Sequence, residues 1–299
     1  MANRFEDLDQ KRLALQQGGG PDRIAKQHAQ GKLTARERLS LLFDPDSFVE
    51  FGLWVKHRSA ELAGKEFPAD GVVTGKGEVM GRPTLVFSQD FTVGGGAVGA
   101  LHAAKIVESM AAALKCGAPL VGFNDGGGAR IQEGVEALSG YGRIFYHNTL
   151  LSRVVPQISV IAGPCAGGAA YSPALTDFII MVERTAHMFI AGPEVIRAAT
   201  GERISEEDLG GASAHASVSG NIHFVAQSDR DAVKLVRTLL SYLPQNNLES
   251  PPDAPFSGPV GDDPAVDDLI PDDPRRSYDV KDVVGALVDP GSFLEVQRD

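Results

Sequence analysis

The middle of the chain contains the run Ala118-Pro-Leu-Val-Gly-Phe-Asn-Asp-Gly-Gly-Gly-Ala-Arg-Ile131. Its apolar segment, Leu120 to Phe123, is typical of a buried β-strand. Three glycines follow, and then a helix-like segment with Ile131, Val135 and Leu138 on one face. A strand that ends in glycines and leads into a helix leaves bare backbone N–H groups, which can hold an oxyanion or a phosphate.

A second run repeats this design about forty residues later. The predicted strand is Ile158-Ser-Val-Ile-Ala162, its turn is Gly163-Pro-Cys-Ala-Gly-Gly-Ala-Ala-Tyr171, and Ser172 to Leu175 is predicted to open the next helix. Two such turns after successive strands would direct two N–H groups at one point, which is the geometry of an oxyanion hole. The alternative is that the glycines only allow strand and helix to pack closely.

The composition limits the possible functions. The chain has 299 residues and a net charge of −11, and the stretch from Glu249 to Pro274 carries acidic but no basic residues. We find no apolar run long enough to span a membrane and no basic stripe for nucleic acid. The charged N-terminus predicts a cytoplasmic protein. The two cysteines and seven histidines lack metal-ligand spacing, so no metal site is predicted.

Strand and helix patterns alternate along the chain, which predicts an α/β fold. We expect an N-terminal helical segment (1–45), a main domain (46–247), an acidic proline-rich arm (248–277) and the start of a further domain (278–299). Whether the arm is extended or lies along the surface stays open at this stage. The predicted elements of the main domain are paired strands within 72–93, strands 119–124, 158–162, 178–182 and 187–190, and helices 101–115, 131–150 and 229–243.

The last segment repeats an earlier one. The run Leu42-Phe-Asp-Pro-Asp-Ser-Phe-Val-Glu50 reappears as Leu287-Val-Asp-Pro-Gly-Ser-Phe-Leu-Glu295, with six identities in nine positions. The preceding helices also correspond, because Thr34, the first residue of a capping box, matches Asp279. We therefore expect a second copy of the domain to begin near residue 278 and the chain to stop as that copy starts.

Two other kinds of site compete for the glycine motifs. Gly94-x-Gly96-x-x-Gly99 fits a dinucleotide-binding fingerprint, although the acidic residue Asp125 lies beyond the usual separation. A hydrolase would need a nucleophile, but Ser139 and Ser172 lack the glycine two positions before them that a nucleophile elbow requires. Cys165 fits a small buried thiol better, because the sequence places no histidine beside it.

Four stretches resemble the carboxyltransferase (β) subunit of biotin-dependent acyl-CoA carboxylases of the propionyl-CoA/methylmalonyl-CoA type. They are Gly31-Lys-Leu-Thr-Ala-Arg-Glu-Arg38, Phe123-Asn-Asp-Gly-Gly-Gly-Ala-Arg-Ile-Gln-Glu-Gly134, Ala162-Gly-Pro-Cys-Ala-Gly-Gly-Ala-Ala-Tyr-Ser-Pro-Ala174 and Met188-Phe-Ile-Ala-Gly-Pro193. The resemblance implies a crotonase-like fold, a spiral of β-β-α units, and correspondence to the N-terminal half of such a subunit.

The resemblance also implies a chemistry. A carboxyl group moves from carboxybiotin, carried on a partner subunit, to the α-carbon of a coenzyme A thioester, and the ureido nitrogen of biotin takes the α-proton. Gly167 and Gly168 would form the oxyanion hole for the enolate. The CoA side would be lined by Gly127, Gly128, Ala129, Arg130 and Ala166. The implied partners are a biotin carboxylase/biotin carrier subunit, a C-terminal carboxyltransferase half and further copies of the chain.

The sequence departs from this family at two turns, with Gly126 where serine is usual and Gly94 where an aromatic residue is usual. Both changes bear on substrate choice or on loss of catalysis. Three functions therefore stay open: a carboxyltransferase half that needs a partner, a free-standing crotonase-like acyl-CoA decarboxylase or hydratase, and a non-catalytic CoA-binding or assembly subunit. Because the family's biotin side lies in the C-terminal half, we expect this chain to hold half a site.

Overall fold

The computed structural model describes residues 2–254 and 264–298. The strands are β1 (Val49–Phe51), β2 (Val72–Val79), β3 (Arg82–Gln89), β4 (Leu120–Gly126), β5 (Gln157–Ala166), β6 (Phe178–Val182), β7 (His187–Phe189) and β8 (Phe224–Ala226). The helices that precede β5 are α1 (Ala2–Gln16), α2 (Pro21–Ala29), α3 (Ala35–Leu42), α4 (Ala100–Cys116) and α5 (Val135–Leu151). The later helices are α6 (Gly168–Ala174), α7 (Pro193–Thr200), α8 (Glu206–Gly210), α9 (Ala212–Ala214), α10 (Asp229–Tyr242), α11 (Pro264–Asp267) and α12 (Val280–Leu287).

The eight strands form one mixed sheet in the order β1-β2-β3-β4-β5-β6-β8, and β7 pairs with the far end of β5. The first three strands are antiparallel, and from β3 onward neighbours are parallel. Met80 and Gly81, with φ of 53° and 72°, form the tight turn between β2 and β3, as a two-residue hairpin requires. The mixed sheet with crossover helices confirms the predicted α/β class.

Crossover helices cover the parallel part of the sheet. Helix α4 connects β3 to β4, α5 connects β4 to β5, and the two helices pack together. Every residue of β4 is buried, which agrees with a strand covered on both faces. The carboxyl ends of β4 and β5 lie side by side at one edge of the parallel sheet, and both glycine turns start there.

The second turn is shorter than predicted. We expected a loop from Gly163 to Tyr171 with the helix starting at Ser172, but β5 continues to Ala166 and α6 begins at Gly168. The reason is β7, whose residues pair with the last three residues of β5 and extend that strand. The sequence did not reveal this pairing, because its partners are 23 positions apart in the chain.

The helix after the first turn also starts later than predicted. A short 3-10 turn occupies Ile131–Glu133, and α5 begins at Val135. The apolar face of Ile131, Val135 and Leu138 is open to solvent, with exposed fractions of 86%, 78% and 61%. The buried side of α5 is instead its opposite face, which includes Tyr141 and Ile144.

The predicted caps are present in both repeated helices. Thr34 and Glu37 form the full capping box at α3, and the Asp279 side chain accepts a hydrogen bond from the Lys281 N–H at α12. The chain divides into two compact units, one up to Pro252 and one from Asp253 to Arg298. The second unit contains the second copy of the repeat, Leu287 to Glu295. Part of the predicted acidic arm, 255–263, lies outside the described residues. No helix of the described residues is long and apolar enough to cross a bilayer.

A buried lysine is expected to make the stability of the fold depend on pH at alkaline values. The Lys105 ammonium, 2% exposed, donates to the carbonyls of Ala69 and Val72, and burial lowers its pKa from 10.5 to about 8. The unfolded chain therefore binds more protons than the folded chain between about pH 8 and 10.5, so this residue makes stability rise with pH. Burial also raises the pKa of the Cys165 thiol to about 12, which opposes the rise above pH 9.

We expect the free energy of unfolding to increase by on the order of 1 kcal/mol between pH 7 and 9 because of Lys105. Urea unfolding of the native chain and of Lys105→Met at both pH values measures this, since the variant lacks the titrating group. Equal changes in the two proteins would show that Lys105 does not titrate in this window.

Candidate functional site

The two glycine turns meet at the carboxyl ends of β4 and β5. Gly126 is paired with Cys165 across the two strands. A Cβ placed on Gly128 would lie 3.0 Å from the Ala166 carbonyl oxygen. The structure thus brings the predicted residues of the first turn against those of the second.

Two of the predicted glycines have their N–H groups occupied. Gly127 N–H donates to the Gly95 carbonyl oxygen at 3.0 Å, and Gly167 N–H donates to the Phe189 carbonyl oxygen at 3.0 Å. Gly167 is therefore not a free donor for an oxyanion, although the sequence predicted it as one of the pair. Its backbone, with φ 61° and ψ −127°, lies in a region that glycine alone adopts readily, so this residue shapes the turn.

The neighbouring N–H groups are available. Within residues 2–254 and 264–298, the N–H groups of Gly128, Ala129 and Gly168 donate to no other group. The space next to Gly127 and Gly167 is open. A Cβ on either residue would lie 3.8 Å from its nearest neighbouring atom. The arrangement can present backbone donors from both turns to one oxygen atom, with Gly168 as the donor of the second turn.

Arg130 points into the protein. Its guanidinium, 3% exposed, pairs with the carboxylates of Asp70 and Glu133 at 2.7 Å each, and it stacks 4.8 Å from the centre of the Phe67 ring. Burial raises the pKa of Asp70, and the Arg130 charge opposes that rise. Arg130 therefore anchors the first turn to the protein interior through these ion pairs. Its assignment to the CoA side stays a prediction.

A buried ion network, which we define as Lys32, Arg38, Asp125 and Asp229, lies directly behind the first turn. Lys32 Nζ donates to Asp125 Oδ1 at 2.6 Å, and Arg38 bridges Asp125 and Asp229 at 2.9 Å on each side. All four side chains are at most 4% exposed. Burial lowers the pKa of Lys32, and the Asp125 charge opposes that effect.

Sequence reasoning missed this network, although it quoted two of its parts. Lys32 and Arg38 lie in one of the stretches that carry the family resemblance, and Asp125 ends the strand before the first turn. Charged residues of this kind are almost never buried unless they are paired. The sequence did contain one signal for the network. Asp125 follows the apolar segment Leu120 to Phe123, and an acidic residue buried at such a place requires a cationic partner.

Gly126 and Gly94, the two positions at which the sequence analysis expected departures from the family pattern, both lie where a side chain would meet a close neighbour. A Cβ on Gly126 would lie 2.3 Å from the Gly96 carbonyl oxygen, and a Cβ on Gly94 would lie 2.5 Å from the Phe67 ring. Without side chains at these positions, the loop from Gly94 to Gly96 packs directly on the first turn. The Phe67 ring occupies the space next to Gly94, where an aromatic side chain would otherwise extend.

The candidate nucleophiles are engaged in packing. Cys165 is 1% exposed, and its Sγ donates to the Ala169 carbonyl oxygen at 3.1 Å. Because burial raises the pKa of its thiol to about 12, the thiolate is scarcely populated near neutral pH. Ser172 donates to Asn148 Oδ1 at 2.9 Å and is buried. The site therefore offers backbone donors and no activated nucleophile from these two residues.

Comparisons with known proteins agree on one family. The family described as "Carboxyl transferase domain" matches residues 26–299. Over nearly the whole chain, the sequence is 56% identical to methylmalonyl-CoA decarboxylase subunit alpha of Veillonella parvula and 53% identical to the methylmalonyl-CoA carboxyltransferase 12S subunit of Propionibacterium freudenreichii subsp. shermanii. The chain covers 98% and 99% of its own length in these matches but only 58% and 57% of the two relatives.

A solved structure agrees as well. The transcarboxylase 12S hexamer with bound methylmalonyl-coenzyme A superposes with a TM-score of 0.97 at 52% identity, over 99% of this chain and 57% of that chain. The carboxyltransferase neighbours confirm the crotonase-like α/β fold that the resemblance implied. The chain thus spans a little over half the length of the relatives it matches.

Proposed function

Because this chain belongs to the carboxyl transferase domain family, we propose that it holds the thioester of a short acyl-CoA while a carboxyl group moves between that acyl-CoA and biotin on a partner. The observation that carries the proposal is the pair of adjoining turns whose N–H groups at Gly128, Ala129 and Gly168 have no protein acceptor among the described residues. An enolate needs such donors where its negative charge develops.

In this proposal the two turns act together on one oxygen atom of the substrate. Gly168, with Ala129 or Gly128, hydrogen-bonds the thioester oxygen, and the bond strengthens as that oxygen becomes anionic. Arg130 and the buried ion network keep the first turn in place from behind. Carboxybiotin, when bound, supplies the carboxyl group and receives the α-proton. No side chain of this chain is assigned as the base.

The proposed partners follow from the exposed surface and from the length of the relatives. Ile131, Val135 and Leu138 form an exposed apolar stripe beside the turns, and such a stripe is typical of a surface that another polypeptide covers. We propose that a C-terminal carboxyltransferase half, a biotin carboxylase/biotin carrier subunit and further copies of this chain complete a cytoplasmic assembly. The relative named above as a hexamer supports the oligomer.

The second candidate is acyl-CoA decarboxylation without biotin, which is favoured by the similarity to a subunit of a methylmalonyl-CoA decarboxylase. The two functions separate in one experiment. Methylmalonyl-CoA with a labelled carboxyl group is incubated with the chain and a separately produced C-terminal half, with and without a biotinylated carrier domain. Label on the carrier supports carboxyl transfer. Release of labelled CO₂ without any carrier would support the second candidate, and failure to bind propionyl-CoA in calorimetry would exclude both.

A further inference from the structure

Two buried polar side chains, Gln89 at the end of β3 and His102 on α4, connect the first turn to the interior of the protein. Gln89 is 4% exposed and His102 is fully buried. Gln89 Oε1 accepts a hydrogen bond from the Asp125 N–H at 2.9 Å, and Gln89 Nε2 lies 3.4 Å from His102 Nε2. His102 Nδ1 lies 2.9 Å from the Asp70 carbonyl oxygen. We call this chain of contacts the Gln89–His102 link.

The link meets the sheet at an irregularity. The pairing of β4 with β5 shifts between Asn124 and Gly126, so Asp125 lies at the shift. On the other side of β4, the regular pairing with β3 ends at Phe123. The Gln89 side chain therefore supplies an acceptor for the Asp125 N–H where the regular ladder has ended. Irregularities of this kind are frequent next to active sites, where they redirect the groups that follow.

The groups at the two ends of the link fix its direction. A carbonyl oxygen only accepts, so His102 Nδ1 carries the proton that is donated to Asp70. A backbone N–H only donates, so the Gln89 amide oxygen faces Asp125 and the amide N–H₂ faces His102. Burial, followed by the charges of two neighbouring cationic side chains, lowers the pKa of His102 well below its ordinary value of 6.5. The ring is therefore neutral, its Nε2 accepts from Gln89, and every donor in the link meets an acceptor.

The far end of the link lies on a strained backbone turn. Ala69 and Asp70 have φ of 51° and 50°, values that residues other than glycine rarely adopt. The Lys105 ammonium donates to the Ala69 carbonyl oxygen at 2.7 Å, and Arg130 Nη2 donates to the Asp70 carbonyl oxygen at 3.3 Å. Strained turns persist only where surrounding contacts hold them, and they cluster at functional sites. Because Arg130 belongs to the first turn, the strained turn contacts the site through Arg130 as well as through the link.

We propose that Gln89 and His102 are positioning residues for the acyl-CoA reaction. They hold the Asp125 backbone, and through it the N–H groups of Gly128 and Ala129, where the thioester oxygen becomes anionic. The buried ion network holds the Asp125 carboxylate and the link holds its N–H, so this residue is fixed at two separate groups. Both side chains act through the backbone and not by contact with the substrate. The proposal rests on the proposed function, because the rate concerned is that of carboxyl transfer.

The first test is Gln89→Met. Methionine has a similar shape, but it cannot donate to His102 and is only a weak acceptor for the Asp125 N–H. Transfer of label from methylmalonyl-CoA is measured with a C-terminal half and a biotinylated carrier domain. We expect kcat to fall about 10- to 100-fold, since a displacement of about 1 Å can cost this much. The KM for methylmalonyl-CoA should change less than about threefold, because the lost hydrogen bonding mainly concerns the anionic oxygen.

Ser109→Ala is the matched control. Ser109 also joins α4 to β3 within the core, because its buried hydroxyl donates to the Val86 carbonyl oxygen at 2.9 Å. That acceptor lies in the middle of β3 and not at the first turn. The control variant should lose stability, which a melting temperature records, and should keep the native kcat and KM.

A measurement on the native chain tests the link without any activity. Nitrogen NMR chemical shifts of histidine rings show which ring nitrogen carries the proton. The chain has seven histidines, and the signals of His102 are those that disappear in His102→Asn. We expect a neutral ring with its proton on Nδ1. A proton on Nε2, or on both nitrogens, would overturn the proposal even if Gln89→Met did not fold.

The kinetic outcomes separate this proposal from the proposed function. A native kcat in Gln89→Met, or equal losses of kcat in Gln89→Met and Ser109→Ala, would show that the link is only structural, while the proposed function stands. If the native chain neither binds methylmalonyl-CoA nor transfers its label, the proposed function fails and the positioning role fails with it. A ring proton on Nδ1 would in that case still confirm the contacts of the link.

Discussion

Replacing Gly168 with valine is expected to lower acyl-CoA carboxyl transfer by on the order of 100- to 1,000-fold, the effect of losing one preorganised donor of an oxyanion hole. A Cβ at this position would meet its nearest neighbours, atoms of the Tyr141 ring, at 3.5 Å, which is ordinary van der Waals contact. The fold therefore accepts the Cβ, and the branched methyl groups interfere with the approach of the thioester oxygen to the N–H. Two measurements give the effect: the propionyl-CoA affinity of the chain, and the transfer rate in the presence of a C-terminal half and a biotinylated carrier domain.

The matched control is Gly285→Val. Gly285 is an exposed residue of α12, and a Cβ there finds no atom within 4 Å. The same glycine-to-valine change in a helix should leave binding and transfer close to native. Native-like affinity and rate in Gly168→Val would mean that the oxyanion site lies elsewhere, and equal losses in both variants would show a general effect on folding.

Arg38→Met is expected to destabilise the protein by about 3–5 kcal/mol, because removing one partner of a buried pair leaves an uncompensated charge. Arg38 is fully buried, and it contacts both Asp125 and Asp229. Without it, the buried ion network retains two carboxylates and the single ammonium of Lys32. The midpoint and slope of urea unfolding at pH 7 provide the measurement.

Arg36→Met provides the comparison on the same helix. Arg36 forms a bidentate pair with Glu50 at 2.8 Å, but its side chain is 24% exposed. Because water screens that pair, we expect a loss of roughly 1 kcal/mol or less. Similar losses in the two arginine variants would contradict the claim that burial of the network, rather than charge pairing alone, sets the cost.

The sequence predicted those structural features that depend on interactions between residues close together in the chain. The apolar runs of β4 and β5, the capping box at Thr34 and the cap at Asp279 depend on neighbouring residues, and all were predicted. The start of α6 was not, because it depends on the distant strand β7. The free and occupied N–H groups of the site could not be assigned for the same reason. The acceptors that occupy Gly127 and Gly167 belong to Gly95 and Phe189.

The buried ion network is the clearest example of such a non-local feature. No periodicity relates Arg38 to its partners, which lie 87 and 191 positions further along the chain. Asp125 and Asp229 are acidic residues in otherwise apolar surroundings. A search for hydrophobic periodicity treats such residues as interruptions of the pattern. Only the folded sheet places the end of β4, the start of α10 and the N-terminal helix α3 around one guanidinium.

The same span of sequence has a consequence for synthesis on the ribosome. Arg38 leaves the ribosome long before Asp229, and at about 5–20 residues per second the 191 intervening positions take roughly 10 to 40 s to translate. During that interval the nascent chain cannot pair this arginine with Asp229, so the buried ion network is completed only after the start of α10 has been made. The N-terminal helix α3 therefore cannot complete its native contacts until the last helix of the sheet domain has been synthesised.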